Sequence, residues 1–430
     1  MIITKRKFFI VWLLGFMSGF TLMISGNTLN FWLAKENIDL QTIGVFALIS
    51  IPYAINFTWA PIFDTVKLPI LNKLFGKRLS WLLLIQILLS SAIYVMSTLS
   101  PTYALELLAI CGFVIAFLAS AQDTILGAMR TEMVDKNRQG EIAGMYVFGY
   151  RIGMLASSSG AIYISQYVHW GLVYELFSVI TIAFPLILLL FTNDLLPIKQ
   201  EFTPKVEDPN TKPALQKSAL HRKMIDFFSE ILKPVGKPKY IIFVLIFLAL
   251  YRLPDNFISM MINPFLLHIG YDEFEISTAG KLFGTSAAMI GGFLASYIMK
   301  KKNLYDSLLI FGSVHAIAHL FFVLQELYGK NLYMLFVVIG FEGVSGGMSM
   351  AAYIAFIASL CQGKFRATQY SFFSSMMGFS RSIFPALSGY IVSSFGWTVF
   401  YLFTTIATLP SLMMILYLEK LQKQNSSEEK

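Results

Sequence analysis

Apolar stretches long enough to cross a bilayer, roughly 20 residues each, recur along nearly the whole chain, with short polar runs between them. They predict twelve spans: 8–33, 41–63, 79–99, 104–129, 140–167, 170–191, 239–268, 276–299, 304–326, 332–361, 366–394 and 397–419. Lipid offers backbone amides and carbonyls no water, so every span must be a helix. Several exceed the bilayer thickness, and tilts or bends are expected in them. The opening "MIITKRKFF" mimics a secretory signal, but its apolar run reaches Leu33 without a small-residue cleavage site and predicts a retained first helix. Residues 192–238, with "EFTPKVEDPNTKPALQKS", are rich in proline and charge and predict a linker with one short surface helix around His221–Leu232. The reading is therefore an all-α integral membrane chain of two six-helix halves. The first half is 1–191, the linker 192–238, the second half 239–419 and the tail 420–430.

Composition agrees: 56% of residues are hydrophobic and 13% charged, against about 25% charged in soluble proteins. The net charge of +8 would suit nucleic acid were the cations clustered. Instead 27 of the 33 lysines and arginines fall in one alternate set of loops and tails, and only Lys35 and Lys330 in the other. That partition places both termini and the linker in the cytoplasm; it excludes nucleic acid and makes the lipid bilayer the partner. Cys111 and Cys361 share no spacing motif, so neither a disulfide nor a metal site is expected. With no P-loop, HExxH or Rossmann glycine run, no cofactor is expected either.

Ionisable residues deep in a span are costly and mark function. The basic ones are Arg151, Arg252, Lys281 and Arg381; the acids are Asp123, Asp255 and Glu342. Together they predict one polar cavity, neutral to slightly positive, suited to a solute bearing carboxylates. Arg252 and Asp255, three apart, share a helix face, and Pro254 between them disturbs the helix. Tyr150 and Tyr251, beside cavity charges, are candidate stacking surfaces for a sugar. Asp64, followed by Gly76, Lys77 and Arg78, reads as a cytoplasmic gate latch. The pairs Gly15/Gly19, Gly149/Gly153, Gly280/Gly284 and Gly343/Gly347 predict close helix packing. "GVSGG" at Gly343–Gly347 also fits a loose serine-hydrolase pattern, with His315 and His319 in span nine as candidate bases. It lacks the strand-to-helix elbow that gives the pattern meaning, so Ser345 reads as packing and the protein as no enzyme. The halves echo one another: Arg151 precedes "IGMLASSSGAIY" and "HWGLVY", Arg381 precedes "SIFPALSGYIV" and "GWTVFY". Repeated halves of this kind are the plan of major facilitators, with the solute site between them.

Further motifs carry a more specific likeness: "ENIDLQTIGVFALI" at Glu36–Ile49, "WAPIFD" at Trp59–Asp64, "AFLASAQD" at Ala116–Asp123, "GYRIGML" at Gly149–Leu155, "YRLPDNF" at Tyr251–Phe257, "GGM" at Gly346–Met348 and "FRATQYS" at Phe365–Ser371. With these the chain resembles the AmpG-type muropeptide permeases of Gram-negative inner membranes, which are similar to major facilitators. The resemblance implies a proton symporter, expected to be monomeric, that brings an anionic amino-sugar–peptide from periplasm to cytoplasm. It implies site roles for Gln122, Asp123, Tyr150, Arg151, Arg252, Asp255, Lys281, Glu342 and Arg381. The chain departs from that pattern at Asn56, where a lysine is usual, at Gly127, where an aspartate is usual, and at Gly343, where an asparagine is usual. Rival readings are a related carrier for another bulky anion, nucleotide-like or acyl-carrier, the membrane hydrolase, and a non-transporting receptor.

Overall fold

The computed structural model describes residues 5–59, 62–63, 66–133, 139–191, 238–361 and 366–428, and among these there is no strand. Among the described residues eight helical segments are long and apolar enough to cross a membrane. The last, Ser375–Leu421, contains two crossings, because the chain reverses at Gly396, whose φ of 80° suits a residue without a side chain. Spans two, five and eight supply the remaining crossings as shorter or interrupted helices. Large apolar side chains such as Phe293, Leu327 and Met413 project outward, as lipid requires. The predicted linker and its surface helix lie outside the described residues.

The breaks in the helices have local causes. Span seven is interrupted at Arg252, between Pro238–Tyr251 and Leu253–Ile269, because Pro254 has no amide to continue the ladder. The carbonyls freed nearby are capped by neighbours: Tyr353 Oη donates to Leu248 O at 2.9 Å and Ser380 Oγ to Ala249 O at 2.8 Å. Asn256 Nδ2 then donates to Ser380 Oγ. Span two, expected to run as one helix to residue 63, is regular only over short pieces, with a tight 3-10 turn at Phe46–Ser50 leading into Pro52. Its start is fixed by Asp39, whose carboxylate accepts from the hydroxyl and amide of Thr42 and is thereby held below the usual carboxylate range. Spans one and eight each contain a π-helical stretch, Ile24–Thr28 and Ile276–Phe283; such wide turns free backbone groups and recur at functional positions.

The predicted small-residue pairs form two seams. Gly15 and Gly19 of span one meet span five so closely that an added Cβ would lie 2.0 Å from Tyr146 O and 1.9 Å from Tyr150 O. Gly149 and Gly153 face back at Trp12 O and Phe16 O, at 2.1 and 2.2 Å. In the second half Gly343 and Gly347 approach the backbone at Gly284 and Ala288 of span eight. Packing through backbone contact is how membrane helices associate when apolar burial drives nothing.

Contacts between the halves gather at the end of the bundle away from the termini. Gly389 of span eleven presses on the Leu40 carbonyl of span two. Ser159 Oγ donates to Ser277 O at 2.7 Å and Lys35 pairs with Glu273; at the same end, within the second half, Lys330 pairs with Glu275 at 2.7 Å. The cations sparsest by sequence, Lys35 and Lys330, are thus neutralised by the first turns of span eight. Among the described residues the hydrogen bonds between the halves run from this far end to about mid-membrane, the deepest being Ser50 to Ser382 at 2.9 Å. The bundle is closed at the far end.

Candidate functional site

The buried charges fall into two clusters rather than one cavity. The first spans both halves. Arg381 of span eleven places its guanidinium carbon 5.5 Å from the ring of Tyr53 in span two. Asp123 of span four and Tyr150 of span five lie within its electrostatic reach. Asp123 has Ser18 beside it, yet its Oδ1 is buried without a hydrogen-bond partner. Arg151 sits next to this group, on the helix that carries Tyr150. Among the described residues neither Arg381 nor Arg151 has a carboxylate at ion-pair distance.

The second cluster is built by spans seven to ten. The break at Arg252 brings its side chain onto Asp255 as an ion pair, as the three-residue spacing predicts. The other oxygen of Asp255 contacts Nε2 of His315. His315 Nδ1 lies 2.9 Å from Ser345 Oγ, and that hydroxyl also reaches Glu342 O at 3.1 Å. His319, one helical turn from His315, stands edge-on to it at 4.8 Å between ring centres, with Nε2 3.8 Å from Asp255 Oδ1. His319 is fully buried and neither of its ring nitrogens has a hydrogen-bond partner. Glu342 stands between this group and Lys281, which projects from the π-helical stretch of span eight. Gly346 leaves room for the imidazole; a Cβ there would meet His315 Cε1 at 3.1 Å.

Several expectations need correction. Gln122 does not face a cavity: it is fully buried and bonds Met17 O, Thr21 Oγ1 and the amide of Gln86, a network that joins spans one, three and four. Tyr251 is no stacking platform for a sugar, since its ring already lies parallel to Tyr353 at 5.8 Å and its hydroxyl is engaged by Leu308 O and Ser349. Ser345 lies in the packing seam as expected, but its hydroxyl also holds His315, which the packing reading omitted. The histidines themselves entered the sequence reading only as parts of a hydrolase; two histidines four apart in an otherwise apolar span were the available signal. Tyr53 carried no such signal, because its role depends on a contact between halves.

Of the latch, Asp64 lies outside the described residues. Gly76 makes the turn with φ 76° into span three, Lys77 is the first residue of that helix, and Arg78 Nη1 donates to Phe63 O at 3.4 Å. The donor atoms of Asp255, His315 and His319 lie within 4.8 Å of one another, near enough to share one small cation.

Comparison with known proteins now gives this geometry a family. The Major Facilitator Superfamily pattern matches residues 11–328 and 307–430. A Rickettsia bellii protein named as the transporter AmpG 1 is 52% identical over 420 residues, covering 97% of this chain and all of that one. The anhydromuropeptide permease of Escherichia coli K12 is 32% identical over 409 residues, covering 95% of this chain and 78% of that one. Among solved structures, a D-xylose–proton symporter superposes with a TM-score of 0.66 at 13% identity, covering 95% of this chain and 96% of that one. A bacterial homolog of the lysosomal transporter Spinster, in an inward-facing unoccupied conformation, gives 0.62 at 13% identity and 96% and 94% coverage; at such identity the likeness is one of fold. Breaks, seams and buried charges therefore serve transport and not hydrolysis, and the chain belongs to the major facilitator superfamily and, within it, to the AmpG-type transporters.

Proposed function

We propose that the protein imports anhydromuropeptide-type fragments of cell-wall turnover across a bacterial inner membrane, from periplasm to cytoplasm, as a proton symporter. The observation that carries this reading is the near full-length similarity to a permease named for that solute class. The first cluster suits such cargo. Arg381 and Arg151 offer guanidinium forks for carboxylates, Tyr150 adjoins them, and the group draws its residues from both halves, between which major facilitators hold their solute. The loop charges favour cytoplasmic termini, which makes the far end periplasmic and the conformation outward-closed. Asp64 with Gly76, Lys77 and Arg78 would latch the opposite end, and Arg78 bonding the residue before Asp64 supports that role. Residues 1–191 and 239–419 would move as the two rocking halves about the 192–238 linker, in a monomer.

Two buried carboxylates offer a place for the coupling proton: Asp123, with an oxygen that lacks any partner, and Asp255, shared by Arg252 and His315. A carboxylate buried without full compensation is stabilised by taking up a proton.

Proteoliposomes holding the purified protein should accumulate a radiolabelled anhydromuropeptide when the lumen is alkaline, and should not accumulate a nucleotide sugar. Accumulation of the nucleotide sugar in place of the muropeptide would transfer the protein to the rival class of anion carriers. Orientation is checked separately, in a background where Cys111 and Cys361 are replaced by serine. Cysteines at Gln200 and Lys301 should react with an impermeant thiol reagent only from the cytoplasmic face, and one at Asp272 only from the periplasmic face. Periplasmic labelling at Gln200 would reverse the topology.

A further inference from the structure

The hydrogen atoms around His315 do not add up to a single arrangement. Ser345 has one hydroxyl hydrogen and two acceptors in reach, Glu342 O at 3.1 Å and His315 Nδ1 at 2.9 Å. When Ser345 donates to Nδ1, the ring is neutral and its Nε2–H donates to Asp255. When Ser345 donates to Glu342 O, Oγ must accept from Nδ1–H, and Nε2 faces the Asp255 carboxylate. Two acceptors cannot face each other without a proton between them, so in this second arrangement the His315–Asp255 pair carries an additional proton. The same heavy-atom geometry thus accommodates two states that differ by one proton, exchanged through a hydroxyl rotation.

His319 adds capacity. It is fully buried, and neither ring nitrogen makes a hydrogen bond of normal geometry, Nε2 standing 3.8 Å from Asp255 Oδ1. A proton on its Nε2 would give Asp255 a second cationic neighbour. A small pocket of about 10 Å³, room for about one water, touches both Asp255 and His315 and is lined among others by Gly312, Ser349, Thr408 and Ser411. The groups facing the imidazoles are Asp255, Arg252 and the Tyr251 hydroxyl from span seven, Glu342 and Ser345 from span ten, with Lys281 of span eight behind Glu342; span twelve contributes the hydroxyls of Thr408 and Ser411 and, beside His319, the Thr404 backbone.

We propose that Asp255, His315 and His319 form the proton-carrying station of this transporter, with Ser345 positioning His315. This rests on the proton-symport reading above and assigns to the histidines a role it does not contain. A proton arrives by the pocket, resides on His315 or His319 against the Asp255 carboxylate, and leaves as a hydrated proton on the cytoplasmic side; no bond to the solute is made or broken. Solute enters the cycle through Arg252. When a solute carboxylate draws the guanidinium from Asp255, the carboxylate loses a cation and holds the imidazolium more firmly. A divalent metal is opposed at the same place, because Arg252 already occupies the other oxygen of the carboxylate and His315 touches the first.

The test uses the full-length protein in proteoliposomes with radiolabelled anhydromuropeptide. His315→Gln should lower proton-driven accumulation by an order of magnitude or more, while solute counterflow, which needs no net proton movement, falls by only a few fold. Ser345→Ala should displace the pH profile of uptake, and Ser345→Thr, which restores the hydroxyl, should return it. His315→Gln accumulating solute like the parent would overturn the station and turn attention to Asp123, with the muropeptide reading untouched. If His315→Gln fails to fold, Ser345→Ala decides: an unmoved profile overturns the proposal. Micromolar zinc that blocks the parent but not His319→Gln would also overturn it, in favour of a metal site. Parent protein that exchanges muropeptide yet ignores the proton gradient would sink proton symport itself, a result distinguishable from all of these.

Discussion

Gly389→Val is expected to stop uptake while leaving the protein folded. An added Cβ at Gly389 would lie 1.7 Å from Leu40 O and 2.4 Å from Leu40 C, well inside any tolerable contact. Both partners of the clash are backbone, on helices of opposite halves, so no rotamer change relieves it. Overpacking that side chains can absorb costs about 1–3 kcal/mol; this one should reach the top of that range and act on far-end closure alone. At about 3 kcal/mol the closed population falls by roughly a hundredfold, and a carrier that cannot close one end cannot alternate. Gly19→Val supplies the contrast. Its Cβ would meet Tyr150 O at 1.9 Å, an equal clash, but inside the first half. There it should depress the melting temperature and the folded yield, since spans one and five cannot separate in any functional state. The pair is read by uptake assay and thermal melt on the same preparations. Gly389→Val that transports normally would show that the meeting of spans two and eleven is no gate.

Asn30→Leu should open the far end. Pro264 lies inside the second helix of span seven and cannot donate to Met260 O. Asn30 of span one fills the vacancy from the other half, with Nδ2 2.9 Å from Met260 O. Asn263 reciprocates, donating to Asn30 Oδ1 at 3.2 Å and to Asn27 O at 3.1 Å, a carbonyl in the π-helical stretch around Gly26, whose dihedrals are not helical. Two broken helices thus expose carbonyls that only asparagines across the interface satisfy. Removing Asn30 leaves the buried Met260 carbonyl idle, at about 1–3 kcal/mol, and takes one of the two hydrogen bonds of Asn263 Nδ2, so closure should weaken by about tenfold or more. Ser277, buried at the same end, provides the reporter. In Ser277→Cys, an impermeant thiol reagent should react at least several-fold faster when Asn30→Leu is added. Equal rates would mean that the clasp contributes nothing to closure.

Much of this was legible in the chain. Span limits from hydropathy agree with the helices within a few residues at most ends, because lipid imposes helix on any apolar stretch of the right length. The glycine pairs identified the seams, since only small residues let backbones touch. Arg252 and Asp255 were legible as a pair from their spacing, a local property. Tyr251 misled because it neighbours a buried charge in sequence, and Gln122 because the resemblance alone suggested it; the side chains of both turn into their own half.

What the sequence by itself determined is the class of fold, the number and placement of the spans, the identity of the buried charges and the tight helix contacts. Each follows from composition, length or spacing within one helix, and the bilayer enforces them without regard to partners. The tertiary structure alone decided how the charges group: one cluster shared between halves around Arg381 and Asp123, another inside the second half around Asp255. It alone joined His315 and His319 of span nine to Asp255 and Ser345, and Asn30 to a carbonyl left open by Pro264. These contacts link residues from 30 to 258 positions apart. No periodicity records such distances; they are set by how broken helices pack, and by which polar groups the breaks leave to be satisfied.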